Sequence, residues 1–181
     1  MINPIPKNLD FIEEHGKLVI RRKWFGPQFI FLTVFCVLWD GFLVFWYSVA
    51  LSTPDAPLMM KLFPIGHIAV GLGLTYYVIA GYLNKTDISL DPSFLEVKHY
   101  PVKWFGNKRI DIGDIKQVYT EEIVTRTKNG TRISYVVKVI QSNDKAQKLV
   151  SGLSSKDQGI FIESKIENIL GIKNVPVSGE V

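Results

Sequence analysis

The sequence predicts an α+β membrane protein in which a two-helix transmembrane hairpin precedes an antiparallel β-barrel or sandwich closed by a C-terminal helix. Two observations predict it. From residue 86 onward, short segments of alternating apolar and polar residues are separated by turn signals and followed by a segment with helical spacing. Between residues 25 and 85, by contrast, only four residues are charged, namely Asp40, Asp55, Lys61 and Lys85.

Residues 1–24 are polar and of mixed charge, which predicts a cytoplasmic N-terminal arm rather than a signal peptide. Within this arm, residues 17–22 alternate weakly and are compatible with a short strand. Basic residues beside an interfacial aromatic residue are typical of the flank of a membrane span. The predicted membrane anchors are Arg21, Arg22, Lys23 and Trp24.

Two apolar segments predict the transmembrane hairpin of residues 25–85. The first covers about residues 25–51 and the second about residues 62–83; each is as long as the roughly 20 residues needed to cross a bilayer. The connecting loop is short and contains proline, so the two helices are expected to be antiparallel neighbours. Lys and Arg are more frequent at the outer flanks than in this loop, which predicts that both termini are cytoplasmic.

Asp40 lies near the middle of the first span, where an ionisable group costs about 2.5–3.5 kcal/mol and usually has a partner. It is about 22 Å along the helix from Phe25, and His67 is about 25 Å from Asn84. The equal depth predicts an Asp40–His67 hydrogen bond or ion pair between the helices. The residues that share these helical faces, and that are predicted to pack within the hairpin or against a partner, are Thr33, Cys36, Gly71 and Thr75.

Three roles are open for this polar pair. It holds the two helices together, or one of its members faces a separate membrane subunit, or it takes part in a proton relay. Two spans alone form no pore, which argues against an independent ion path. Cys36 is the only cysteine, so an intramolecular disulfide is excluded and no metal site is predicted.

The segment after Lys85 predicts six short strands and a helix. Asn129-Gly130 is the strongest hairpin signal, and residues 154–171 have the isoleucine spacing of an amphipathic helix that stops at Gly171. The predicted domain covers residues 86–172 and leaves a flexible tail at 173–181. The predicted strands are 86–90, 94–100, 108–112, 115–126, 131–141 and 146–152.

The stretch LNKTDISLDPSFLEVKHYPVKWFGNKRIDIGDIKQVYTEE resembles bacterial membrane proteins that carry a PH-like (pleckstrin-homology-like) domain. The resemblance is carried by a strand that emerges from the last span and by the pattern of Ile110, Asp114-Ile115 and Val118. It covers about residues 80–172. It implies a PH-like barrel and a bacterial inner membrane, cytoplasmic or intracytoplasmic, but no particular ligand.

A basic and aromatic loop follows the second predicted strand, and two interpretations of it are open. Such a loop near a membrane can enter the headgroup layer and bind anionic lipid. Alternatively, every second residue completes the core of the barrel. The residues concerned are Lys98, His99, Tyr100, Lys103, Trp104, Phe105, Lys108 and Arg109.

No pattern in the sequence predicts catalysis or a cofactor. The carboxylate pairs at 111/114 and 121/122 lack a nucleophile, a phosphate loop or metal-ligand spacing beside them. The net charge of +4 does not call for a nucleic-acid partner. We expect a non-enzymatic accessory subunit or assembly factor. Its expected partners are other membrane subunits and lipids, and the question of whether it forms homo-oligomers is open. The alternatives are a membrane-tethered sensor of anionic lipid or stress and, less favoured, a proton-relay component.

Overall fold

The computed structural model describes residues 5–14, 17–128 and 130–181. The chain divides into two compact units. The helical unit consists of Trp24–Asn84, and the β unit combines the described residues up to Lys23 with Lys85–Val181. The helical unit is therefore inserted into the sequence of the β unit.

The helical unit contains α1 (Gln28–Ser52), the short α2 (Leu58–Leu62) and α3 (Ile65–Leu83). Pro27 precedes α1 and Pro64 precedes α3, positions at which a proline costs no helical hydrogen bond. The predicted helices are thus confirmed, with ends that differ by at most three residues. By length and composition, α1 and the combined segment Leu58–Leu83 could each cross a membrane.

Close packing between α1 and α3 depends on a glycine. Phe29 is buried, and a Cβ placed on Gly81 would overlap its ring. The same ring lies 5.4 Å from that of Tyr77, centroid to centroid. Elsewhere in this unit, Trp46 Nε1 donates to the carbonyl oxygen of Met60 at 3.0 Å, which satisfies an acceptor at the end of a short helix.

Five strands of the β unit form an antiparallel sheet in chain order. Its third and fourth strands are joined by a tight turn, where Asp91 Oδ1 accepts from the backbone N–H of Ser93 and Phe94, both at 2.9 Å. Lys23 lies opposite Lys85, so the chain leaves and re-enters this sheet on neighbouring strands. The strands are β1 (Leu9–Glu14), β2 (Lys17–Lys23), β3 (Lys85–Leu90), β4 (Phe94–Tyr100) and β5 (Lys108–Asp111).

The structure corrects the predicted N-terminal arm. The described residues of β1 and β2 belong to the sheet, and Leu18 and Ile20 are completely buried in the core of the β unit. β2 pairs with β3, a strand that follows the helical unit in the sequence. Because this pairing is non-local, the weak alternation of residues 17–22 did not reveal it.

A second sheet contains β6 (Ile115–Thr127), β7 (Gly130–Gln141) and β8 (Ala146–Leu153) in that order. The C-terminal helix α4 (Lys156–Leu170) packs on it. Gly171 ends α4 with φ of +63°, a left-handed conformation that favours glycine. The predicted order of two apolar helices, antiparallel sheets and a C-terminal helix is confirmed. Asn129, the first residue of the predicted hairpin turn, lies outside the described residues.

The core of the β unit lies between the two sheets and α4. It is made of aliphatic side chains, and burying each one stabilises the fold by about 1.5–3 kcal/mol relative to leaving it exposed. Strands of both sheets and the helix contribute to one cluster, so the β unit has a single core. The fully buried members include Leu18, Ile20, Ile88, Leu90, Leu95, Val118, Val137, Leu153, Ile162 and Ile166.

Residues 173–181, predicted as a flexible tail, contact the free edge of β6. Glu180 forms an isolated β-bridge with Glu121, and the backbone N–H of Val181 donates to the carbonyl oxygen of Thr120 at 3.1 Å. An edge strand presents unpaired backbone groups that attract another extended segment. The tail therefore covers part of an edge that the sequence pattern could not identify.

We expect Ile20→Ala to lower the free energy of unfolding of the β unit by about 2–5 kcal/mol, because it empties a fully buried site. Hydrogen exchange of the β3 amides in the full chain would measure the loss. Ile12→Ala is the matched control, since Ile12 is 58% exposed on the neighbouring strand. Equal exchange in the two variants would contradict the inclusion of β2 in the core.

Candidate functional site

The central polar contact of the helical unit joins Asp40 on α1 to Thr75 on α3. Thr75 Oγ1 donates to Asp40 Oδ2 at 2.7 Å. The other carboxylate oxygen lies beside Gly71, where an added Cβ would be 2.5 Å from Oδ1. Gly71 therefore leaves the space that the carboxylate occupies. Three members of the predicted stripe, Asp40, Gly71 and Thr75, therefore lie next to one another.

His67 is not the hydrogen-bond partner of Asp40, which corrects the predicted pair. Its ring packs against Trp39 at 5.7 Å and against Phe63 at 5.0 Å between centroids, and Trp39 Nε1 donates to the His67 carbonyl oxygen at 3.3 Å. His67 lies one helical turn from Gly71, about 6 Å along α3. Thr75 is eight residues, or about 12 Å, from His67 along α3, so matching depths by residue count, which ignores helix tilt and the reach of side chains, selected the wrong residue.

The other predicted members of the stripe also lie inside the hairpin. Thr33 Oγ1 donates to the Phe29 carbonyl oxygen at 2.7 Å and is 3.1 Å from Tyr82 Oη. Cys36 is a buried free thiol. The polar atoms of Trp39 and Tyr82 also contribute to the contacts between α1 and α3, a role that no sequence pattern indicated.

The outer surface of the helical unit is apolar. Only 17% of the most apolar window of each long helix is buried, whereas a helix in the core of a water-soluble fold is mostly buried. The large exposed side chains include Phe31, Val37, Leu38, Val44, Phe45, Leu51 and Leu72.

The basic and aromatic loop divides into a fixed base and an exposed tip. At the base, Tyr100 Oη donates to Asp87 Oδ2 at 2.7 Å, and Arg21 donates to both carboxylate oxygens of Asp87 at 2.8 Å. Burial alone would raise the pKa of Asp87, but the hydrogen bonds from Arg21 and Tyr100 outweigh it and lower the pKa. At the tip, Phe105 is 91% exposed.

The remaining loop residues and the predicted anchors have different surroundings. Lys98 and Lys103 are exposed and Trp104 is half-buried, while the Arg109 guanidinium lies 3.6 Å from the centroid of the Phe94 ring. The predicted anchor Lys23 forms an ion pair with Asp10 at 3.1 Å. Of the remaining anchors, Arg21 and Arg22 bond within the β unit, and the backbone N–H of Trp24 donates to the Asn84 carbonyl oxygen.

Two buried carboxylic acids on α4 were missed by the sequence analysis. Glu163 and Glu167 are 5% and 6% exposed, and Gln117 Nε2 donates to Glu167 Oε1 at 3.2 Å. Burial, reinforced by the charge of Glu163, raises the pKa of Glu167 to about 7. Burial also raises the pKa of Glu163. Their spacing of four residues, on the face that carries Ile162 and Ile166, was the available signal.

No protein-family model matches the chain, and no curated protein matches it. Among the described residues, no group of three or more His, Cys, Asp or Glu side chains could hold a metal ion.

A double-mutant cycle should identify the partner of Asp40. We expect Asp40→Leu and Thr75→Val to be coupled by about 0.6–1.7 kcal/mol, the range measured for hydrogen bonds between membrane helices. Asp40→Leu and His67→Leu should be nearly additive. Unfolding of the helical unit in mixed detergent micelles would supply the free energies, and a larger coupling to His67 would contradict the observed contact.

The raised pKa of Glu167 predicts that the β unit loses stability as the pH rises. The ionised form is disfavoured in the folded state, so stability is greatest below the ordinary pKa of 4.5 and falls until the pH passes about 7. Glu167→Gln should abolish most of this decline and stabilise the unit at pH 8 by about 1–3 kcal/mol. Urea unfolding at several pH values would measure it.

The control for that measurement is Glu96→Gln, which neutralises an exposed glutamate on β4. It should leave the pH dependence unchanged. An equal decline in both variants would show that Glu167 is not the group responsible.

Proposed function

We propose that this chain is a non-enzymatic integral membrane protein that serves as an accessory subunit or assembly factor of a larger membrane complex. In this proposal α1 and α3 form the membrane anchor. The β unit is a PH-like interaction domain at the cytoplasmic surface of a bacterial inner membrane. Other membrane subunits are the expected partners, and self-association is a further option.

The observation that carries the proposal is the distribution of polarity in the helical unit. The polar side chains of Thr33, Asp40 and Thr75 are bonded within the hairpin, and the surrounding surface is apolar. Hydrocarbon cannot hydrogen-bond to polar groups, so membrane helices direct such groups toward one another. This arrangement suits lipid and would expose a large apolar area in water.

The β unit supports the PH-like part of the proposal through its layout. Two antiparallel sheets enclose one core, and the C-terminal helix packs on the second sheet. This is the order of elements that the resemblance to bacterial PH-like proteins implies. The cytoplasmic orientation rests on the basic residues at the flanks of the helical unit.

An exposed ribbon supports a role in protein interaction. The strands β6 and β7 continue together beyond the pairing of Tyr135 with Leu153, the last residue of β8. On this ribbon Val124 lies opposite Ile133, and each is about half exposed, at 50% and 51% respectively. Neighbouring apolar side chains at the surface of a domain are typical of contact regions.

The sensor of anionic lipid is the second candidate, and the exposed ring of Phe105 favours it. An aromatic side chain at a loop tip that also carries Lys103 could enter the headgroup layer. The proton-relay hypothesis has no such support among the described residues. Asp40 is bonded to Thr75, and the His67 ring packs against two aromatic rings.

Purification of the full chain in a mild detergent, followed by mass spectrometry of protein and lipid, tests the proposal. We expect a stoichiometric membrane protein that is lost when Val124 and Ile133 are both replaced by serine. Phe105→Ser is the control and should retain it. Anionic lipid without a protein partner, lost in Phe105→Ser, would favour the sensor instead. Release of the chain from membranes by alkaline carbonate would contradict the anchor.

A further inference from the structure

A row of polar side chains closes one end of the core of the β unit. Ile20, Ile88 and Val97 lie side by side on the core-facing side of β2, β3 and β4. Two residues further along the strands, the same side carries the row Arg22, Thr86 and His99. The core of the β unit thus ends at a row that contains a fixed cation and a titratable imidazole.

One more basic residue, Lys108, lies beside this row, opposite Val97. Lys108 is on the core-facing side of β5, and its Nζ donates to the main-chain oxygen of Lys148 on β8. Arg22 reaches the same strand, donating to the main-chain oxygens of Ser151 at 2.9 Å and of Gly152. The side chains therefore bridge the opening between the two sheets.

We propose that this opening is an anion-binding site for a phosphate group, formed by Arg22, His99 and Lys108. The opposite side of the same sheet provides the contrast. There Arg21 is neutralised by Asp87, and Lys23 is paired with Asp10. Within the described chain, the hydrogen bonds of Arg22 and Lys108 go to neutral main-chain oxygens, which satisfy donors but leave the positive charge uncompensated.

The electrostatics of these basic groups favour the binding of an anion. Burial lowers the pKa of His99, and the charges of Arg22 and Lys108 lower it further. Burial likewise lowers the pKa of Lys108, with a contribution from Lys148. Like charges held together raise the free energy of the folded unit, and a bound anion would relieve this repulsion.

A phosphate group fits this donor set better than a single carboxylate does. It carries up to two negative charges and several acceptor oxygens, which suits a site that offers one guanidinium, one ammonium group and an imidazole. Free phosphate and the headgroup of an acidic phospholipid share this chemistry. The site lies within the β unit, so the inference does not depend on membrane insertion.

The imidazole of His99 is a direct reporter of the site. In the full chain in neutral detergent micelles, its pKa would be followed by NMR with increasing inorganic phosphate at constant ionic strength, the signal being assigned with His99→Gln. Because a bound anion favours the protonated ring, we expect phosphate to raise this pKa. No change with phosphate or with phosphatidic acid added to the micelles would overturn the proposal.

Lys108→Gln is the decisive variant, because it removes the ammonium group of the site but keeps a side chain that can donate to the main-chain oxygen of Lys148. We expect it to weaken phosphate binding roughly tenfold, since it removes a charged donor. Arg22→Gln should weaken binding further, but it also removes contacts between the sheets, so Lys108→Gln decides if that variant fails to fold. Lys98→Gln, which changes an exposed lysine next to His99, is the matched control and should bind normally.

A comparison of phosphatidic acid with inorganic phosphate distinguishes a lipid headgroup from a soluble phosphate as the ligand. If micelles containing phosphatidic acid raise the His99 pKa at far lower phosphate concentration than the inorganic ion does, the site serves a lipid headgroup. If the inorganic ion acts alone, the site serves a soluble phosphate. An equal loss in Lys98→Gln and Lys108→Gln would reduce the effect to general surface charge and overturn the proposal.

Discussion

The pairing of β2 with β3 is the constraint on which the rest of the structure depends. It joins strands that are separated by the whole helical unit, so its formation must overcome the entropy of closing a long loop. The apolar contacts of Leu18 and Ile20 with the core supply the compensation. The same pairing sets Arg22 beside Thr86, so the basic row at the end of the core exists only because this register is fixed.

Buried polar side chains have different surroundings in the two units. In the helical unit, a carboxylate is bonded to one hydroxyl and fits against a glycine, and large apolar side chains cover much of the outer surface. In the β unit, Glu163 is buried beside Thr120, whose hydrogen bond only partly offsets the effect of burial, so the pKa of this carboxyl is raised. Such groups reduce the stability of a fold. The raised pKa of Glu167 is another expression of the same burial.

Local patterns revealed the elements but not the long-range partners. The apolar segments, the alternating strands and the stop at Gly171 were predictable because hydrophobic periodicity and turn chemistry act over a few residues. The strand character of residues 17–23, the contact of the tail with β6 and the choice of Thr75 over His67 all depend on which distant segment lies alongside. The basic row was missed for the same reason, because Arg22 and Lys108 reach β8 only after both sheets have formed.

Lys23, the last residue of β2, lies opposite Lys85, the first residue of β3. The helical unit is therefore inserted between two paired strand ends. The five strands of the first sheet follow one another as a simple meander, in which every neighbour in space is also the next strand in sequence. The helical unit takes the place of the turn between the second and third strands. A two-residue turn such as Asn-Gly could connect those strand ends without changing the register. In topological terms the membrane-compatible segment is one enlarged hairpin loop.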